Sequence, residues 1–175
     1  DLQLIESCIK GDRASQKVLY DRLAARMFPV CMRYVGDREQ AEDVLQDGFV
    51  TLFTRLDTYK GEGSFEGWAR KIFVTTALMN LRKKDALKMS DDLEAARSLK
   101  AETSSQIQNL GYKELMNMIM ELPAGFRTVF NLYAIEGYSH KEIGEMLGIS
   151  ETTSRTQLSR ARISLQNKIK ERENV

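Results

Sequence analysis

Apolar residues recur along this chain at intervals of three and four almost throughout, the period of helices with one buried face. No stretch alternates polar and apolar residues between turn signals as a strand does. The spacing predicts helices over residues 1–10, 13–35, 38–56 and 64–84, then a second helical group over 110–171. The tripeptide Gly-Asp-Arg stands at 11–13 and again at 36–38, marking breaks between the first three helices. Gly61 and Gly63 mark the break before the fourth. Between the two groups, ALKMSDDLEAARSLKAETSSQIQ (86–108) has few large apolar residues, no aromatic ring and many Ser, Asp and Glu. That is the composition of a tether. The expected fold is all-α: two small helical domains, 1–87 and 109–175, joined by a flexible linker at 88–108.

Three segments carry candidate chemistry. In QAEDVLQDGFVTLFTRL (40–56), Ala41, Val44, Leu45, Phe49, Leu52, Phe53 and Leu56 form a broad apolar stripe. Asp43, Gln46 and Asp47 cluster at one edge of it. An acidic rim on an amphipathic helix suits a basic partner helix, and a merely solvated face is the plain alternative. In GWARKIFVTTALMNLRKK (67–84), Ala69, Phe73, Val74, Ala77 and Leu81 fall on the core side. Trp68, Lys71, Thr75 and Arg82 fall on the other, with Lys83 nearby. An aromatic ring beside cations suits unstacked bases and their phosphates. The alternative is that Trp68 packs under the preceding loop while the terminal cations favour the helix C-terminus.

The third segment, GYSHKEIGEMLGISETTSRTQLSRAR (137–162), reads as two short helices around a tight turn. Ser139 with Glu142 fits a capping box, Gly148 fits a left-handed helix end, and Ser150 fits the next N-cap. On a helical wheel Ser154, Leu158, Ala161, Leu165 and Ile169 share one face, with Thr152, Thr156, Ser159 and Arg160 roughly opposite. Residues 152–170 hold five basic residues and no acidic one. A helix buried on one side and offering Arg, Thr and Ser on the other suits the DNA major groove.

Composition changes this picture little. The 175 residues are 42% hydrophobic and 29% charged with a net charge of +1, so the total does not point to nucleic acid. The distribution does: residues 37–66 carry eight acidic and three basic residues, and 67–84 carry five basic and none acidic. Two partners of opposite charge would fit, and so would solvated faces. No apolar run approaches the ~20 residues of a membrane span, and no secretory signal is visible. Cys8 and Cys31 lack metal-ligand spacing and read as reduced, buried thiols of a cytosolic protein. The only histidine, His140, opens a helix where a polar surface residue is expected. With no Gly-rich phosphate loop and no ligand cluster, neither a metal, a cofactor nor an enzyme is expected.

Taken together, these segments resemble the extracytoplasmic-function (ECF, RpoE-like) group of bacterial sigma factors, the promoter-specificity subunits of RNA polymerase. DREQAEDVLQDGFVTLF resembles the family's polymerase-binding helix, and GSFEGWARKIFVTTALMNLRKK its helix and loop that open and read the −10 element. LPAGFRTVFNLYAIEGYSHKEIGEMLGISETTSRTQLSRARISL is similar to its helix-turn-helix for the −35 element. The resemblance implies that Asp43, Gln46 and Asp47 contact the coiled coil of the β′ clamp. It implies that Gly63, Ser64 and Phe65 help form a pocket for a flipped −10 base. Trp68, Lys71, Thr75, Arg82 and Lys83 would follow the −10 strand. Arg155, Thr156, Gln157, Ser159 and Arg160 would face the −35 groove. The partners so implied are core RNA polymerase (β′ clamp and β flap), promoter DNA and an anti-sigma factor, in the cytoplasm and without membrane insertion. Three positions depart from the family pattern. Ser154 replaces a usual aliphatic residue, which predicts looser packing of the recognition helix. Gln157 stands where Arg or Lys is common, and Thr75 where Asn is frequent. The second function class is a helix-turn-helix regulator that binds an operator without being a polymerase subunit.

Overall fold

The computed structural model describes residues 2–84 and 111–173. The chain divides into two compact units, Asp1–Lys83 and Lys84–Val175. The expected linker at 88–108 lies outside the described residues. Among the described residues the regular elements are all helical.

The first unit holds α1 (Leu2–Ile9), α2 (Arg13–Val35), α3 (Arg38–Thr54) and α4 (Phe65–Lys83). Both Gly-Asp-Arg tripeptides act alike. Glycine turns left-handed (φ 86° at Gly11, 73° at Gly36), and the aspartate then caps the next helix. Asp12 accepts from the Ser15 backbone N–H and Asp37 from that of Gln40, each at 2.9 Å. Helix α3 ends at Thr54, short of the expected 56. The Arg55 N–H divides between the carbonyls of Thr51 and Leu52, and the chain tightens into a 3₁₀ turn at Leu56–Thr58.

Helices α2, α3 and α4 pack mutually, with α1 against α2. The apolar stripe of α3 is buried as expected, except that Phe53 is only half-buried. On α4, Ile72 and Leu78 are buried beside the five expected residues, so the core face is wider than the wheel suggested. Phe49 is central, with ring centroids 4.3 Å from Tyr20 and 5.1 Å from Phe73. Phe73 lies directly over Gly48: a Cβ there would stand 2.4 Å from the ring. Cys8 and Cys31 are free and buried, and burial pushes the Cys31 thiol up to about 12.

The second unit holds α5 (Tyr112–Met120), α6 (Ala124–Phe130) running into a π-helical turn at Asn131–Ile135, α7 (His140–Leu147) and α8 (Glu151–Glu173). At ~1.5 Å per residue α8 is ~34 Å long, and it packs against α5, α6 and α7. The core of this unit joins Met118, Ile119 and Leu122 to Phe126 and to Ala161, Leu165 and Ile169 of α8. Arg127 is buried beneath the end of α5, where its guanidinium donates to the carbonyls of Met120 (2.7 Å) and Leu122 (3.2 Å). Those are carbonyls that a helix end leaves without partners.

Candidate nucleic-acid and polymerase interfaces

The turn between α7 and α8 forms as its residues predict. The Ser139 hydroxyl accepts from the Glu142 N–H (3.2 Å) and the Glu142 carboxylate accepts from the Ser139 N–H (2.8 Å), a complete capping box. Gly148 ends α7 at φ 68°, and the Ser150 hydroxyl accepts from the Thr153 N–H at 3.0 Å to start α8. The helix ends on both sides of the turn are therefore set by local sequence.

On α8, Thr152, Arg155, Thr156 and Ser159 are exposed and Arg160 is half-exposed, so these expected groove-facing residues do share the solvent side. Arg155 pairs there with Glu151 at 3.0 Å. Gln157 does not join them. It is 3% exposed, three residues after the wholly buried Ser154 and four before the wholly buried Ala161. At 100° per residue it falls inside the buried stripe, so its expected base contact is corrected to a packing role. Lys168 and Arg172 also turn away from a common basic face: they pair with Glu121 (2.8 Å), just past the end of α5, and with Glu114 of α5 (3.3 Å).

The expected loosening at Ser154 is corrected as well. Its side chain is wholly buried, and the hydroxyl lies 2.8 Å from Nδ1 of His140 across the turn. His140 is half-buried rather than a plain surface residue, with its ring stacked on Tyr133 at 4.5 Å. Desolvation, with the guanidinium groups of Arg155 and Arg162, lowers its pKa, and Glu151 opposes them. These influences favour the neutral imidazole. A link between two residues fourteen apart leaves no mark in helical periodicity, and only the missing aliphatic side chain at 154 hinted at it.

In the first unit, Tyr59, Phe65 and Trp68 form an aromatic cluster with centroids 5.1–5.6 Å apart. The Tyr59 hydroxyl donates to the Gly63 carbonyl (2.9 Å), tying down a loop whose Gly61 and Gly63 both have positive φ (75° and 72°). A cavity of about 440 Å³ opens beside this loop, lined by Gly63, Ser64, Phe65 and Tyr59 together with Leu2 and Leu23 of the first two helices. Arg26 and Glu66 pair at its wall. Trp68 is half-buried against the loop, as the packed alternative had it. Lys71, Thr75, Arg82 and Lys83 are exposed as expected. Between Thr75 and Arg82 stands Met79, 56% exposed, an apolar member of this face that the charge pattern did not single out.

On α3, Asp43, Gln46 and Asp47 are all exposed, and the Gln46 amide donates to the Tyr20 hydroxyl at 3.3 Å. Val50, 68% exposed, continues the same face three residues beyond Asp47 and was missed because it belongs to no charged cluster.

Two family profiles match this chain. Sigma-70 region 2 covers residues 19–87, the unit with the acidic rim and the glycine loop, and sigma-70 region 4 covers 112–165, the unit with the helix-turn-helix. The chain belongs to the extracytoplasmic-function sigma factors. It is 25% identical over 180 residues to the ECF RNA polymerase sigma-E factor of Haemophilus influenzae, covering 97% of this chain and 95% of that protein. It is 26% identical to the sigma-E factor of Escherichia coli K12 (97% and 94%). It is 25% identical to the RNA polymerase sigma-H factor of Pseudomonas aeruginosa (93% and 90%). Its fold is similar to that of the sigma factor RpoE of Bartonella quintana, solved with the anti-sigma factor NepR, at TM-score 0.53 and 20% identity over 88% of this chain and 96% of that one. It is also similar to CnrH, solved with the cytosolic domain of CnrY, at TM-score 0.50 and 22% identity over 97% of each. Sigma factors are non-catalytic initiation factors, and the operator-binding alternative is not favoured by the region 2 match. Among the described residues no cluster of three or more His, Cys, Asp or Glu could hold a metal. No described helix of this sigma factor is long and apolar enough to cross a membrane.

Proposed function

We propose that this sigma factor works through three surfaces, each on a different helix. Asp43 and Asp47, with Gln46, dock α3 on the β′ clamp. The loop at Gly63–Ser64–Phe65 receives a flipped −10 base, while Lys71, Thr75, Arg82 and Lys83 follow that strand. The solvent side of α8, with Arg155, Thr156, Ser159 and Arg160, enters the −35 major groove. The observation that carries this reading is the α8 face: short polar and cationic side chains, exposed together on a helix whose start and tilt the turn defines. The cavity beside the glycine loop supports base capture, because a flipped base stacked in a pocket offsets part of the unpairing cost.

The protein so described performs no covalent chemistry, acts in the cytoplasm with core polymerase (β′ clamp and β flap), and is held by an anti-sigma factor. The anti-sigma complexes among the similar structures support the last point. Titration of core polymerase with the chain tests the reading against an operator-binding regulator. A stable 1:1 complex is expected, and binding to promoter duplex without any affinity for core polymerase would overturn it.

A further inference from the structure

His140 opens α7 with its ring flat against Tyr133, centroids 4.5 Å apart and planes 17° apart. Its Nδ1 lies 2.8 Å from the Ser154 hydroxyl in the first turn of α8. Ser154 is wholly buried, and a buried hydroxyl without a partner is costly, so the contact is specified from both sides. Tyr133 in turn lies under the guanidinium of Arg162, 5.9 Å from the ring centroid. The row Ser154–His140–Tyr133–Arg162 thus begins and ends on α8. It brackets the two turns that carry Arg155, Thr156 and Ser159.

We propose that His140 is a positioning residue for −35 recognition: bonded to Ser154 and stacked on Tyr133, it fixes the rotation at which α8 presents Arg155, Thr156 and Ser159 to the groove. An aliphatic contact at this point would tolerate sliding and rotation, whereas a hydrogen bond between buried or half-buried partners is directional. The neutral imidazole also lets the ring sit near Arg155 and Arg162 without adding a third cation. This inference rests on the reading of α8 as the −35 helix.

The test uses holoenzyme assembled from core RNA polymerase and the full chain, bound to promoter DNA with the −35 duplex and to a fork template lacking it. His140→Asn carries an amide where Nδ1 stands, and His140→Gln carries it at the place of Nε2, out of reach of Ser154. His140→Gln and Ser154→Ala should each weaken −35-dependent binding about fivefold, the worth of one hydrogen bond. They should also broaden the −35 preference selected from a randomised promoter pool. His140→Asn, which keeps the bond to Ser154 and loses only the stack on Tyr133, should fall between the parent and His140→Gln. All variants should match the parent on the fork template, and the double variant should be no worse than His140→Gln alone. Equal behaviour of the Asn and Gln variants, additive singles, or equal losses on the fork template would overturn the proposal. Arg160→Ala and Ser159→Ala serve as controls. If they too leave −35 binding unchanged, the −35 reading itself fails; if they change it while His140→Gln does not, only the positioning role falls.

Discussion

The contact between Gly48 and Phe73 sets how closely the two functional helices of the first unit approach. Adding one methyl group tests it. In Gly48→Ala the new carbon would stand 2.4 Å from Phe73 Cδ1 and 2.5 Å from Cε1, where carbon atoms normally rest at ~3.5–4.0 Å. The shortfall exceeds 1 Å. The ring has little freedom to swing away, because Phe73 is wholly buried and flanked by Phe49 at 5.1 Å. Overpacking of this size costs ~3 kcal/mol, at the upper end of the usual range. Alanine in a helix interior returns ~1 kcal/mol relative to glycine. The net expectation is a loss of about 2 kcal/mol. In a Phe73→Ala background, itself ~3–5 kcal/mol less stable, the obstacle is gone, and Gly48→Ala should stabilise by ~0.5–1 kcal/mol. The sign of one substitution therefore inverts with its partner. Urea unfolding followed by the fluorescence of Trp68, the sole tryptophan, reads the first unit selectively. A neutral or stabilising Gly48→Ala in the parent, or an equal cost in both backgrounds, would refute the packing argument.

Reversing Asp43 and Asp47 to Lys should weaken association with core polymerase several-fold while barely changing stability, since both carboxylates are exposed; a pull-down titration with unchanged affinity would remove the docking assignment. Arg160→Ala should weaken promoter binding across sequences and flatten its dependence on salt by about one unit of log–log slope. Ser159→Ala should instead alter which −35 base is preferred, and a promoter-pool selection distinguishes the two outcomes. Phe65→Ala should spare polymerase binding but reduce −10 opening, with a pre-melted bubble restoring transcription. Permanganate footprinting showing normal opening, or domain-wide loss of stability in a thermal melt, would dismiss the pocket role.

Helix existence was legible throughout because periodicity, caps and breaks agree. Ser139 and Ser150 act as the caps their positions suggested, and the aspartates of the two Gly-Asp-Arg breaks, Asp12 and Asp37, cap the helices that follow. The end of α3 was misplaced because Leu56 stays buried after the helix has tightened into a 3₁₀ turn, so its apolar periodicity outruns its α geometry. At the site, the exposure of Lys71 and Arg82 followed from the helical wheel and that of Asp43 and Asp47 from their place at the edge of the apolar stripe, while Arg155 entered only with the family resemblance. What was misread depends on neighbours. Gln157 is polar by composition yet occupies the buried side of α8, whereas for Trp68 the packed alternative is the one that Tyr59 and Phe65 realise. The His140–Ser154 bond needs two helices at a defined crossing, which no one-dimensional pattern encodes. Met79 and Val50 escaped notice because an apolar residue on a polar face reads as noise until its exposure is seen.

The central claim, that one chain directs polymerase by reading two promoter elements, is tested most directly by transcription. Core RNA polymerase supplied with this chain and genomic DNA should initiate at discrete positions, and sequencing the transcript 5′ ends should align upstream −10 and −35 motifs at a constant spacing. Ser159→Ala should shift the −35 motif and leave the −10 motif intact. Starts no different from those of core polymerase alone, or a single motif without a second at fixed distance, would contradict the account.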